Sequence, residues 1–352
     1  MIYLANTFFE LELSQGSLID LEEGFALHPT FLQLQYMPLC FADERDIIVV
    51  TQINPGLQIE SMPKMIELQA FSFPKELLVP WGDSESAAKW AFSKGIAYAP
   101  PLPEAVRIAN SKETTALAFP AFTTTSLIAN ESQLLEAIHN KPLPLVIKTC
   151  YGFSGRGNLV VAENSMRHTM RALSFAEPEW KKGRPVITEP WVERVQDFSS
   201  QWEITPQKHI NYLGAVLFHA NLQGSYTSTI AGPEDVLFAD IRHFFKQHIA
   251  QAQLAVEYMA SQGYYGCIGV DAMLYKSAKS GSIRLVPVLE VNARKTMSQA
   301  AIAMQKKKFA GKTIKMSYTR PQQRHDGLLP KSLIHRGEHV IFQKQLYIDP
   351  VS

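Results

Sequence analysis

The sequence predicts an α/β protein, and three observations carry that expectation. Short apolar runs alternate with helix-patterned segments over the first hundred residues, the layering of an α/β unit. At 352 residues the chain is long enough for two or three domains with sizeable cores. Its 46% apolar and 19% charged content is that of an ordinary soluble globular protein.

Taken in order, Leu32, Leu34 and Tyr36 alternate with Gln33 and Gln35, the period of a half-buried strand. Ile47-Ile48-Val49-Val50 is a short, fully apolar strand, and Leu77-Leu78-Val79 is another, closed by Pro80. Ser84 to Lys94 reads as a helix, with Ser84 as its N-cap and Gly95 as its stop. No glycine-rich fingerprint follows these strands, so no dinucleotide site is expected there.

Pro100, Pro101 and Pro103 mark a linker. Beyond it a helix is predicted over Leu134–His139, and strands over Leu145–Thr149 and Leu159–Ala162. Further strands are predicted at Pro185–Val192, Phe198–Ile204, Tyr212–His219 and Ser225–Ile230. One long helix then runs from Val236 to Gln262 and stops at Gly263. Two strands, Cys267–Leu274 and Arg284–Asn292, follow. The residues from 311 onward are basic and weakly patterned, and no role is assigned to them.

Charge and cysteine content narrow the possible functions. The net charge is +1, with 34 basic and 33 acidic residues, so no nucleic-acid affinity is expected. Lys306, Lys307, Lys308, Lys312 and Lys315 form the one local asymmetry and read as a solvated face, with binding of an anionic substrate or polymer as the alternative. Cys40, Cys150 and Cys267 have no metal or redox spacing. No apolar stretch approaches a membrane span, and no basic segment precedes Glu10 and Glu12 in the manner of a secretory signal. No membrane partner and a reducing, cytoplasmic setting are therefore the expectation.

The chemistry concentrates near the end of the last two strands. Glu290 and Asn292 stand two apart and project from one strand face, while Asp271 sits in the run expected to pair with them. Two carboxylates and an amide oxygen make an all-oxygen site of the kind Mg²⁺ takes, with phosphate completing the shell. Upstream, Lys148 ends an apolar strand, and Gly152, Ser154, Gly155 and Gly157 follow in a loop whose N–H groups can approach a phosphate. Standing alone, such a loop is a hairpin, Lys148 is a strand-end lysine, and Lys112 carries no signal. Thr188–Glu193 is an edge strand or a segment that holds a planar base. Among the aromatic and basic residues, Trp191 and Trp202 read as core, and His219 as a partly buried strand-end histidine.

Taken in order, these pieces resemble the ATP-grasp superfamily: Lys112, Lys148, the Gly152–Gly157 loop, the Glu189-x-x-Val192 segment, Asp271, then Glu290-x-Asn292-Ala-Arg294. The resemblance covers residues 105 to 305. It implies a two-lobed ATP-grasp fold behind an N-terminal α/β domain, with domains at 1–105, 106–192 and 193–310 and a C-terminal segment at 311–352. It also implies that Lys112 and Lys148 contact the α- and β-phosphates of ATP, and that the loop folds over the γ-phosphate. Glu189 and the backbone near Val192 would hold adenine, and Asp197 the ribose. Asp271, Glu290 and Asn292 would bind two Mg²⁺ ions, with Mn²⁺ as an alternative. Arg294 would face the transferred phosphoryl group, and Arg294 or Arg156 would replace an arginine that some ligases carry where this chain has Gly269. The implied activity is an ATP-dependent ligase that joins a small-molecule or peptide carboxylate to an amine through an acyl phosphate. A kinase on the same scaffold and a non-catalytic ATP-binding module are the competing readings.

Overall fold

The computed structural model describes residues 1–54, 56–57, 62–69, 76–152, 157–221, 226–320 and 326–351. The N-terminal layer is a parallel sheet of β1 (Ile2–Leu4), β2 (Ile47–Val50), β3 (Lys64–Glu67) and β4 (Leu78–Pro80), ordered β3-β2-β1-β4. The apolar β2 is what a parallel strand covered on both faces requires. The helices of this layer are α1 (Phe9–Gln15), α2 (Leu21–Ala26), α3 (Pro29–Leu34) and α4 (Glu85–Lys94). In α4 the Ser84 side chain accepts from Ala87 N–H, and Gly95 ends the helix in left-handed geometry at φ 68°.

One expected strand is a helix. Leu32–Tyr36 falls in and just after α3, where His28 caps the N-terminus and Pro29 opens the first turn. The alternation misleads because its polar members are inside: Gln33 and Gln35 are 1% and 0% exposed. Gln35 satisfies its amide on Leu32 O and Thr51 N, so its burial costs no lost hydrogen bond.

Two helices, α5 (Pro103–Asn110) and α6 (Lys112–Ala118), lead out of the layer, separated by the extended Ser111. A second, antiparallel sheet follows, built from β5 (Ser126–Ile128), β6 (Leu145–Thr149), β7 (Asn158–Val161) and β8 (Val186–Pro190) in the order β5-β8-β6-β7. Helices α7 (Glu131–Asn140) and α8 (Met166–Trp180) cover it, burying Leu134, Ile138, Ala172 and Ala176 against Ile147 and Val186.

The largest sheet begins with β9 (Glu193–Ile204), β10 (Ile210–Ala220), β11 (Tyr226–Ala231), β12 (Gly266–Lys276), β13 (Ile283–Asn292) and β14 (Thr313–Thr319). A hairpin of β15 (Ser332–His335) and β16 (Glu338–Ile341) precedes β17 (Gln345–Val351), which completes the order β13-β12-β9-β10-β11-β14-β17. Residues 311–352, given no role from sequence, thus supply two of the seven strands. The long helix expected from Val236 is divided into α9 (Glu234–Leu237) and α10 (Arg242–Ser261). The last helix, α11 (Met297–Lys308), packs between this sheet and the N-terminal layer, and Ala300, Ala301 and Met304 join Phe9 and Trp81 in one core. Among the described residues no helix is long and apolar enough to cross a membrane.

Candidate active site

The strand pairing places the acidic residues face to face. Asp271 on β12 is the register partner of Glu290 on β13, and Gly269 is the partner of Asn292. Directly opposed residues of an antiparallel pair bring their side chains within reach of each other. Asn292 Nδ2 donates to Asp271 Oδ2 at 3.1 Å, and Ser199 Oγ on β9 donates to Asp271 Oδ1 at 2.6 Å. Burial pushes the Asp271 carboxyl up to about 7, and the neighbouring Glu290 charge pushes the same way. Burial also works to raise Glu290, but Lys112, Lys148 and Arg294 outweigh it and hold that carboxyl below its ordinary value.

This donor set fits a divalent cation. Two adjacent carboxylates, one of which is driven toward its neutral form, with an amide beside them, are relieved by a doubly charged hard ion. The Lys112 ammonium brings positive charge to the same point, 3.0 Å from Glu290 Oε1.

The break between α5 and α6 aims Lys112 at this point. Its backbone N–H bonds Cys150 O at 2.9 Å rather than a helical carbonyl, and its ammonium also reaches Gly152 O at 2.9 Å. Lys148, near the end of β6, pairs with Glu189 on β8 at 2.5 Å, with side chains only 12% and 6% exposed. Removing one partner of such a pair strands a buried charge, so Lys148 and Glu189 hold each other in place.

Gly152 follows β6 and Gly157 precedes β7. Gly157 adopts φ 93°, and a Cβ there would meet Thr149 Oγ1 at 2.5 Å, so glycine is required at that turn. Ser154, Gly155 and Arg156, the rest of the expected phosphate loop, lie outside the described residues.

Arg294 stands in the connection from β13 to α11. Its Nε donates to Glu10 Oε1 and its Nη2 to Asn292 Oδ1, both at 3.0 Å. The connection is held from two sides: Asn110 exchanges hydrogen bonds with both backbone groups of Ala293, and Lys295 N–H donates to Trp81 O at 2.8 Å.

One cavity of about 420 Å³ joins these groups. Lys112, Lys148, Gly152, Glu189, Val192, Asp271, Glu290, Asn292 and Arg294 all line it, so residues separated by most of the chain share one wall. Trp191, expected in the core, lines it as well, with the Arg194 guanidinium 5.7 Å from its ring centre. Asp197 is set back: it is 7% exposed, it is bound by Arg194 Nη1 through both oxygens, and Arg194 is the member of that pair on the cavity wall. Burial raises the Asp197 carboxyl while Arg194 opposes the shift. Trp202 is core, at 5% exposed, and His219 is exposed rather than partly buried.

Several site residues were missed from sequence. Glu10 comes from the N-terminal layer, and nothing local marks it. Ser199, Ser200 and Gln201 form a polar run inside β9 that is at most 2% exposed, which was a readable signal. Gln201 binds Ser199 Oγ and accepts from Thr296 Oγ1 at 2.6 Å, tying the N-cap of α11 to the Asp271 strand. A Cβ on Gly269 would meet the Gln201 amide at 2.9 Å, so a side chain there requires that amide to shift.

No protein-family model and no curated protein matches the sequence. Solved structures are similar in fold. Phosphoribosylamine–glycine ligase from Thermotoga maritima superposes with a TM-score of 0.58 at 15% identity, over 90% of this chain and 89% of that one. Biotin carboxylase from Campylobacter jejuni, as a βγ-ATP complex, gives 0.52 at 12% identity over 78% and 71% of the two chains. An ADP complex of N5-carboxyaminoimidazole ribonucleotide synthetase gives 0.51 at 17% identity over 82% and 79%. The chain therefore has the ATP-grasp fold behind an N-terminal α/β layer, as its motif order predicted.

Proposed function

We propose that this protein is an ATP-dependent carboxylate–amine ligase using Mg²⁺. The observation that carries the reading is the opposed Asp271–Glu290 pair, set in one cavity with Lys112, Lys148 and Arg294. The similar structures support it in kind: one is a phosphoribosylamine–glycine ligase, and two are complexes with ADP or an ATP ligand.

On this reading Lys112 and Lys148 leave their glutamate partners for the α- and β-phosphates. Asp271, Glu290 and Asn292 take the metal, with Mn²⁺ as a substitute. Bound Mg²⁺ supplies charge neutralisation at the phosphates. Glu189 and the Val192 backbone hold adenine. Asp197 holds the ribose once Arg194 turns away from it, and the Gly152–Gly157 loop, with Ser154, Gly155 and Arg156, covers the γ-phosphate. Arg294, fixed by Glu10, meets the charge that develops as the carboxylate attacks the γ-phosphorus and the β–γ bond breaks to release ADP, giving an acyl phosphate. An amine then displaces phosphate from the acyl phosphate and leaves an amide.

The test is ADP and phosphate release from Mg-ATP with pooled carboxylates, with and without pooled amines, followed by mass spectrometry. Amine-dependent phosphate and an amide product are expected. A phosphorylated product without amine would make the protein a kinase, and nucleotide binding without ADP would make it a sensor.

A further inference from the structure

The same cavity reaches a wall that the phosphate and metal groups do not use. There Phe31 and Leu34 of the α3 helix, Tyr226 of β11, Tyr318 of β14 and Lys344, just before β17, line the space. Among the described residues, four of the five cations in the cavity wall are paired with carboxylates. Of the five lysine and arginine residues in its wall, Lys112 pairs with Glu290, Lys148 with Glu189, Arg194 with Asp197 and Arg294 with Glu10. The remaining one, Lys344, faces an aromatic ring instead: its ammonium stands 5.2 Å from the centre of Tyr318. Among the described residues no carboxylate forms a salt bridge with it.

This wall is built rather than incidental. Gln33, 1% exposed, accepts from the Tyr318 hydroxyl at 2.7 Å. Its amide nitrogen donates to Pro330 O at 2.9 Å and to Lys344 O at 2.7 Å. One buried side chain thus fixes both the ring and the backbone that carries the lysine, and Gln345 repeats the grip on Pro330 O at 3.0 Å. A cation held over an aromatic face keeps its N–H donors available and loses little freedom when an anion arrives.

We propose that Lys344 recognises an anionic group, carboxylate or phosphate, at the far end of a substrate. The substrate's reacting end lies at Asp271–Glu290, and its apolar middle lies against Phe31, Leu34 and Tyr226. The catalytic half of this statement rests on the ligase reading above; the binding half rests on the cavity alone.

Calorimetric titration separates the two. The probes are phenylpropionate and its para-carboxy and para-phosphono derivatives, which share a body and differ at the distal end. Wild type is expected to bind the better para-anionic probe about fivefold more tightly than the parent, the size of one partly exposed ion pair. Lys344→Met removes that margin, Lys344→Arg keeps it, and Tyr318→Phe keeps it because the ring remains. The stronger of the two para derivatives identifies the anion. A margin that survives in Lys344→Met, the absence of any margin in wild type, or no binding of any probe overturns the assignment. ADP release with the same probes and pooled amines then reports on the ligase reading. A Lys344-dependent margin without ADP leaves Lys344 standing and removes the reaction; ADP release without the margin does the reverse.

Discussion

Arg294 Nε donates to Glu10 Oε1 at 3.0 Å, joining the connection after β13 to the first helix of the chain across 284 positions. Glu10 therefore belongs to the site although it lies in the N-terminal layer. The same guanidinium binds Asn292 Oδ1, so Glu10 sets the orientation of Arg294 and, through it, of the Asn292 amide, which the proposed reading gives to the metal. Glu10→Gln is expected to lower kcat/KM about tenfold, the usual effect of removing an outer partner of a metal ligand. Steady-state kinetics beside a thermal melt checks this; unchanged kinetics in a folded variant would detach Glu10 from the site.

Glu290→Gln is expected to cost at least about 10²-fold in kcat while the protein still unfolds cooperatively. The amide keeps the shape but loses both the metal charge and the Lys112 ion pair. ADP release by the purified variant, with a circular-dichroism melt as control, decides the point. Near-normal turnover would refute the metal assignment.

Metal binding should depend on pH through Asp271. Its carboxyl, ordinarily near 3.8, is raised to about 7 by burial and then by Glu290. The folded, metal-free protein thus holds this proton more tightly than the unfolded chain does. Stability from this group is present at low pH and is lost as pH rises from about 4 to about 7. Mg²⁺ needs the deprotonated form, so its affinity falls about tenfold for each unit below about 7. Melting curves with Mg²⁺ and a non-hydrolysable nucleotide should show a larger gain in Tm at pH 8 than at pH 6, flattening in Asp271→Asn.

Gly269→Ala is expected to destabilise the fold by about 1–3 kcal/mol, because its Cβ would crowd the buried Gln201 amide. Gln201 cannot withdraw cheaply: it is 2% exposed and bound to Ser199 and Thr296. Urea unfolding measures the loss, and a neutral result would show that this contact relaxes.

Much of this architecture was legible in the sequence because local rules govern it. The apolar runs of β2 and β6, the Ser84 cap and the Gly95 stop are all set by neighbours in the chain. Asp271, Glu290 and Asn292 were readable because strand alternation places polar groups where an apolar face was expected. The α3 helix was misread because two glutamines satisfy their amides inside the protein, which hydropathy does not register. In β14, Ile314, Met316 and Tyr318 are buried between Lys315 and Ser317, an alternation that was present and passed over. Glu10 and Lys344 were beyond reach, since their places in the cavity wall arise only when distant segments meet.

The central claim is that a divalent cation and a triphosphate share the Asp271–Glu290 site. Electron paramagnetic resonance of Mn²⁺ titrated into the protein with a non-hydrolysable ATP analogue tests it most directly. Wild type should bind the ion in a nucleotide-dependent manner, and the Asp271→Asn, Glu290→Gln double variant should leave it free in solution. Equal Mn²⁺ binding by the folded double variant would contradict the account.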